Sequence, residues 1–480
     1  MPGRALAPPH RPEAEPRPQP GCEELHPNQQ HRGTGDGGLD FRDLRELSEK
    51  LGITNSRPRS GTSRDRGKVV SFPTGEIPPG VPSPGKDAGI VKRIIPGIIA
   101  GAADLDPAAV LTATVAGATF GLSVGWVVLL CIPILMAVFG VAARIGHETR
   151  LGLIKLVREH FGKRLAVMLA CMVVSVNVLM IVADIMAVSD ALSIVLQQPN
   201  RFFPALVAFT IWYVLTLAGY ERVNRTLSLL ALFLFAYVAA AILSGGSASR
   251  VASGVLLPHF SPGAGYVMAI IAVFGSLLTP DVVVWQTSSK RETGATFHDV
   301  EAKFGCVVAA LVSLSAVIAA SSMKVADPAS MTTRQAAEAL APLGQLGPIL
   351  FSLGIIGSGL VALPILVASL CFSISEAANW HYGLNEPPWE AKGFFVLICA
   401  VLVGAVIIDY IGINTVKTLY WSQVLAGILI VPILFFILWI SNDRRVMRTT
   451  NTRSQNFWLG AAVGGMIAAN LVFLMTELFF

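Results

Sequence analysis

From Ile94 to the C-terminus, long apolar runs alternate with short segments rich in Arg, Lys, Gly or Pro. A run of about 20 apolar residues is what a helix needs to cross a hydrocarbon core of about 30 Å. The pattern predicts about eleven such spans, over residues 94–120, 124–146, 164–190, 202–219, 226–245, 264–289, 302–323, 345–374, 391–411, 415–440 and 456–479. Residues 1–90 differ: Pro, Gly, Arg and Ser dominate without apolar periodicity, which predicts a disordered cytoplasmic tail. Within it, LDFRDLRELSEKLGIT (39–54) predicts one short amphipathic helix. GVPSPGKD (80–87) approaches a phosphate-binding loop, but Asp87 stands where Ser or Thr is required and no strand precedes it, so it reads as chance.

Composition sharpens this picture. Of 480 residues, 53% are hydrophobic and 14% charged, and the mean hydropathy is +0.62, values that exclude an ordinary soluble domain. The six cysteines carry no CxxC spacing and five lie in apolar runs, which argues against disulfides and a zinc site. A net charge of +5 comes partly from basic loops and implies no nucleic-acid partner. Residues 1–40 lack the apolar core of a cleavable signal peptide.

Lys and Arg collect in alternate loops: six between spans 2 and 3 (Arg144 to Arg164), Arg222 and Arg225 after span 4, Lys290, Arg291 and Lys303 after span 6, and Arg444 to Arg453 after span 10. Basic loops stay in the cytoplasm, so the N-terminus is expected inside and the C-terminus outside a bacterial-type inner membrane. Five spans that begin inside, then five that begin outside, make an inverted repeat. The expected units are the tail (1–90), a first repeat (91–245), a second repeat (246–440), and a cytoplasmic loop with span 11 (441–480).

The first span of each repeat is interrupted, by ADLDPAAV (103–110) in span 1 and by Thr279-Pro280-Asp281 in span 6. Broken helices at corresponding positions point to a midplane site in a secondary transporter. An acid at bilayer depth is costly unless it faces a cavity or a partner, and no Lys or Arg lies in either break. Proline also leaves carbonyls without helical donors. A hard cation held by oxygen fits both facts. The candidate metal residues are Asp106, Asp104, Asp281, Thr279, Ala103 and Gln423; Asp184 and Asn177, seven apart on one face of span 3, and Gln286 are candidates for an ion or proton path. Each admits a structural reading as well: a protonated acid capping the break, or a hydrogen bond between helices. Glu376, His381, His147, Glu148 and Asp409, near span ends, read as interface residues. No methionine falls in either break, so a soft thioether, which favours Mn or Fe over Mg or Ca, is missing there. A nucleophile with a nearby base and a histidine cluster are missing too, which argues against an enzyme.

These residues resemble the natural resistance-associated macrophage protein (Nramp) transporters, and most closely their Nramp-related magnesium-transporting branch. IIPGIIAGAADLDPAAVLTATVAGATFG is similar to the family's first span, whose Asp-Pro-Gly-Asn motif binds metal; Asp106-Pro107 match its first half, and Ala108 and Ala109 replace the Gly and Asn. LLTPDVVVWQTSS (277–289) resembles the sixth span, with Thr279 in place of a metal-binding methionine and Val282 in place of an asparagine; Asp281 departs from the magnesium branch. WSQVLAGILIVPILFFILWISNDRRVM (421–447) resembles the tenth span. The likeness runs from about residue 92 to 445. It implies an all-α polytopic fold of the leucine-transporter type, a 5+5 inverted repeat with broken helices 1 and 6, working by alternating access. Asp184 matches an acid linked to proton movement, whereas Ala187 replaces a second one.

The expectation is a monomeric divalent-cation transporter, with Mg2+ first and Mn2+ second, not proton-coupled. The metal is cargo, the partner is the lipid bilayer, and no cofactor is implied. The alternatives are a proton-coupled Mn2+/Fe2+ importer, a sodium-coupled carrier of organic solutes, and a non-transporting membrane sensor or scaffold.

Overall fold

The computed structural model describes residues 105–218, 232–244, 248–256, 263–293, 299–323, 325, 331–384, 386 and 389–479. The tail with its amphipathic and loop-like segments, the first part of span 1, and the candidates Ala103 and Asp104 lie outside the described residues.

Helices account for nearly all of what is described. The first repeat contributes α1 (Pro107–Phe120), α2 (Gly125–Thr149), α3 (Leu153–Phe161), α4 (Lys163–Leu196), α5 (Phe203–Tyr213, prolonged by a π turn at Val214–Ala218) and α6 (Ala236–Leu243). Next come α7 (Ala248–Leu256), α8 (Ala264–Leu277), α9 (Pro280–Thr293), α10 (Asp299–Ala320), α11 (Thr333–Ala337), α12 (Gly347–Ala378), α13 (Lys392–Asp409) and α14 (Thr415–Asn442). The last is α15 (Arg453–Phe479). Among the described residues, nine helical stretches are long and apolar enough to cross a membrane, one of them joining α1 to α2, and Leu232–Leu243 is a shorter apolar one. Each expected span thus has its helix. The sequence reading left α3, α7 and α11 as loops, because five to nine residues give too short a run for span-length patterning. α3 still buries one face, Leu153, Ile154, Leu156 and Val157.

Among the described residues the second interruption is a break between two helices and the first is a helix start, and local chemistry explains both. Asp106 is extended (φ −74°, ψ 164°) and its side chain accepts a hydrogen bond from the Ala109 amide, while Pro107 takes the first helical position. Asp then Pro is a helix start: the acid satisfies an amide that has no partner inside the helix, and the proline has none to lose. In span 6, α8 stops as Leu278 turns to φ −120°, ψ 74°, and α9 restarts at Pro280 with Asp281 in its first turn.

The two repeats pack in related ways. α1 lies along α10, and α9 lies along α2; in repeat terms the second half of span 1 meets span 7, as the second half of span 6 meets span 2. Both contacts need a glycine. A Cβ on Gly117 would lie 2.4 Å from the Val317 carbonyl oxygen, and one on Gly146 would lie 2.2 Å from that of Thr287. Small residues allow backbones to close up in this way in lipid, where helices gain little from burying apolar surface. α4 and α12, the third and eighth spans, form the broadest helix pair behind them.

A methyl group at position 146 forces α2 and α9 apart. Gly146→Ala is expected to lose about 1–3 kcal/mol, the usual range for overpacking. Gly140→Ala, on the same helix with open space around it, should leave stability unchanged. Thermal unfolding in detergent distinguishes the two.

Candidate metal centre

The broken helices meet at a cavity of about 70 Å³. Its polar lining comes from Asp106 at the start of α1, Ser276 at the end of α8, Thr279 in the second break, Asp281 and Gln286 on α9, and Cys306 on α10. Leu135 and Phe139 of α2, Trp285, and Ala362 and Leu366 of α12 supply apolar wall. Asp106, Thr279 and Asp281 are all buried, and none of the lining residues is Lys, Arg or His.

Each acid is held differently. Asp106 is tied to the Ala109 amide. The Thr279 hydroxyl and the amides of Asp281 and Val282 turn toward the Asp281 carboxylate, whose Oδ1 accepts no hydrogen bond. Its place in the first turn of α9 suits a negative charge, since the helix N-terminus is the positive end of the backbone dipole. Asp184 on α4 is fully buried; the Ala108 amide turns toward its carboxylate, at a geometry too loose for a full hydrogen bond. It lies close enough to Asp106 and Asp281 for the three carboxylates to repel one another. Buried unpaired acids that repel have a common remedy, a cation among them.

The remaining candidates divide. Gln286 lines the cavity. The Asn177 amide nitrogen donates to the Leu366 carbonyl at 3.4 Å, an interhelical bond, and its Oδ1 has no partner. Gln423 on α14 is buried with both amide atoms unpartnered, but it is not part of the cavity wall. Ser276 and Cys306 line the cavity without having been singled out in the sequence, since a lone Ser or Cys inside an apolar span carries no pattern.

Two further acids change the sequence picture. Glu376 is no interface residue: it is buried and accepts hydrogen bonds from the Ser288 hydroxyl (3.0 Å), the Tyr382 hydroxyl (3.3 Å) and the Lys155 amide (3.2 Å). It thereby joins α3, α9 and the end of α12. Asp190 on α4 accepts from Asn200, Thr333 and Thr415, each at 2.8 Å, binding the opposite end of the bundle. Its partners Thr333 and Thr415 lie 143 and 225 positions away, beyond any local signal. A third group, His381, Glu386 and Glu390, brings its ligand atoms within 4.8 Å of one another, with His381 mostly in solvent.

A bundle of membrane-length helices in which two interrupted spans converge on an acidic cavity defines a multi-pass membrane transporter of the inverted-repeat class. Comparison with known proteins takes this further. The family model described as natural resistance-associated macrophage protein-like (Nramp) matches residues 97–476. The divalent metal cation transporter MntH of Verminephrobacter eiseniae is 24% identical over 377 residues, 75% of this chain and 83% of that protein. MntH of Deinococcus radiodurans is 24% identical over 417 residues, 81% and 91%. In fold, the chain is similar to the Eremococcus coleocola manganese transporter (H236A mutant) with a TM-score of 0.65 at 15% identity, covering 84% of this chain and 90% of that one. It is also similar to MhsT, solved with L-phenylalanine, at a TM-score of 0.53 and 16% identity, covering 81% and 99%. The chain belongs to the Nramp family, and so to the multi-pass transporters of divalent metal cations.

Glu376 offers a direct check of the network that it centres. Removing its carboxylate strands three donors, each costing about 1–3 kcal/mol when buried and unsatisfied. Glu376→Ala is therefore expected to lower the unfolding midpoint well below that of Glu376→Gln, whose amide oxygen still accepts.

Proposed function

We propose that this Nramp-family chain carries Mg2+ into the cell by alternating access, as a monomer, with its N-terminus inside and no coupled proton. The observation that carries this reading is the polar lining of the cavity: carboxylate, hydroxyl and amide oxygens from Asp106, Asp281, Thr279, Ser276 and Gln286 face one space with no methionine, histidine or cationic side chain among them. Hard dications take oxygen ligands, and Mg2+ gives up its waters reluctantly. A cavity of about 70 Å³ has room for water molecules beside an ion.

In this scheme Asp106 and Asp281 hold the ion, Thr279 and the carbonyls at the breaks contribute oxygen, and Asp184 adds negative charge from behind. Ala103 and Asp104 belong to the same break as Asp106, and Gln423 becomes a ligand only if α14 shifts toward the cavity. Asn177 and Gln286 lie along the route between α4 and α9. The membrane potential supplies the driving force: a dication moving inward through about 100 mV gains roughly 4.6 kcal/mol. Each break divides its helix into two stiff halves, so one half can swing against the other while the ligands at the break stay near the ion.

A second reading is a proton-coupled Mn2+ importer. Cys306 favours it, because a thiol on the wall is a softer ligand than the rest of the lining. Asp184 favours it as well, as a fully buried acid with no cation beside it on the cavity wall is a place to hold a proton.

Proteoliposomes with internal Mg2+ and pH dyes, under an inside-negative potential, separate the readings. Mg2+ uptake without acidification, abolished in Asp106→Ala, is expected. Mn2+ uptake with acidification, and no movement of Mg2+, contradicts the proposal. Thr279→Met places a thioether at the second break and is expected to shift preference toward Mn2+ by at least about tenfold, equivalent to about 1.4 kcal/mol. Cys306→Ser should leave Mg2+ uptake intact and, on the Mn2+ reading alone, weaken Mn2+ uptake.

A further inference from the structure

A space far larger than the ion cavity lies on another face of the described helices. A second cavity of about 1000 Å³ lies between α2, α8 and α15. Apart from Trp126, Tyr266 and Thr476 its lining is aliphatic, phenylalanine, methionine or glycine, with Leu130, Ile134, Ile270, Phe274 and Val472 among its walls. Leu130 is 41% and Val472 49% exposed, which marks its open side.

The polar residues gather at one end. Trp126 begins α2, Tyr266 begins α8 and Thr476 closes α15, and alternating topology brings these helix ends to the same side of the membrane. There the Trp126 indole donates to the Tyr266 hydroxyl at 3.3 Å, which donates to the Ser123 carbonyl at 2.8 Å. Trp and Tyr sit at this level because their rings are apolar and their tips polar. From that end the lining runs along α8 from Tyr266 to Phe274, about 12 Å, and along α15 from Thr476 to Ala461, about 22 Å, at about 1.5 Å per residue. A single leaflet's hydrocarbon is about 15 Å deep, half of the core.

A space of this size does not stay empty, since its walls would lack van der Waals contact, and water does not fill it, since almost nothing there can hydrogen-bond. A neighbouring helix, about 10 Å across, meets a face, whereas here three helices of one chain form a groove open on one side. We propose that it is a binding site for a phospholipid, one acyl chain lying between α2, α8 and α15 and the headgroup at the Trp126–Tyr266 end. With the N-terminus inside, the lipid comes from the outer leaflet. The chain then packs the back of α8, whose far end, Ser276 and Leu277, bounds the ion cavity. The site stands apart from the identity of the transported ion.

Gly465 provides the test, because it lines the groove and a Cβ there meets nothing within 4 Å. Gly460, on the same helix, is equally open but not part of the lining. Delipidated full-length protein would be titrated with palmitoyl-oleoyl phosphatidylglycerol and followed by native mass spectrometry. Wild type and Gly460→Trp are expected to retain one lipid, which Gly465→Trp loses. Leu130→Trp, filling the groove from α2, is expected to lose it too and covers the case in which Gly465→Trp misfolds. Equal retention in all variants, no retained lipid in wild type, or a wild-type dimer that Gly465→Trp converts to monomer would each overturn the assignment.

Discussion

Three carboxylates, Asp106, Asp184 and Asp281, lie buried within mutual repulsion at the centre of a membrane protein, and the rest of the structure accommodates that cost. No Lys, Arg or His shares the cavity wall to neutralise them. Two of the acids stand at helix starts, where free amides and the helix dipole favour negative charge. Each helix must be interrupted at bilayer depth for its acid to reach such a start. Broken backbone is tolerated there only where it lines a cavity or is covered by protein, and both conditions hold around the α1 and α9 starts.

Packing then fixes where the breaks meet. α1 against α10 and α9 against α2 are two forms of one contact, each pinned by a glycine facing a carbonyl. Because backbone meets backbone, these half-helices are placed with little freedom normal to the contact, and their acid-bearing ends are held on either side of one small space. At one end of the bundle, Glu376 ties α9 to α3 and the end of α12. At the other, Asp190 ties α4 to α11 and to the start of α14. The two buried acids thus bind the helices together at opposite ends of the bundle.

Much of this was legible in the sequence. The spans followed from run length, the breaks from Asp-Pro and Thr-Pro-Asp inside apolar segments, and the repeat from the correspondence of those breaks. Asp106, Thr279, Asp281 and Gln286 come together because each lies within a turn or two of a break, and a break has only one place to face. Gln423 faces inward, as a polar side chain inside an apolar helix must, but stands off the cavity wall, since sequence does not say toward which neighbour such a side chain turns. Glu376 was misread because a span end looks the same in sequence whether it meets lipid headgroups or a buried network. Cys306 and Ser276 left no trace, since only the approach of α10 and α8 to the breaks makes them lining residues.

The central claim is that a dication binds between Asp106 and Asp281. Crystals of the full chain soaked in Mn2+, with data collected for its anomalous signal, test it most directly. The account predicts one strong peak in the cavity, bonded to Asp106 and Asp281 directly or through a single water, and absent in Asp106→Ala. A peak elsewhere in the bundle, or an undiminished peak in the variant, would contradict it.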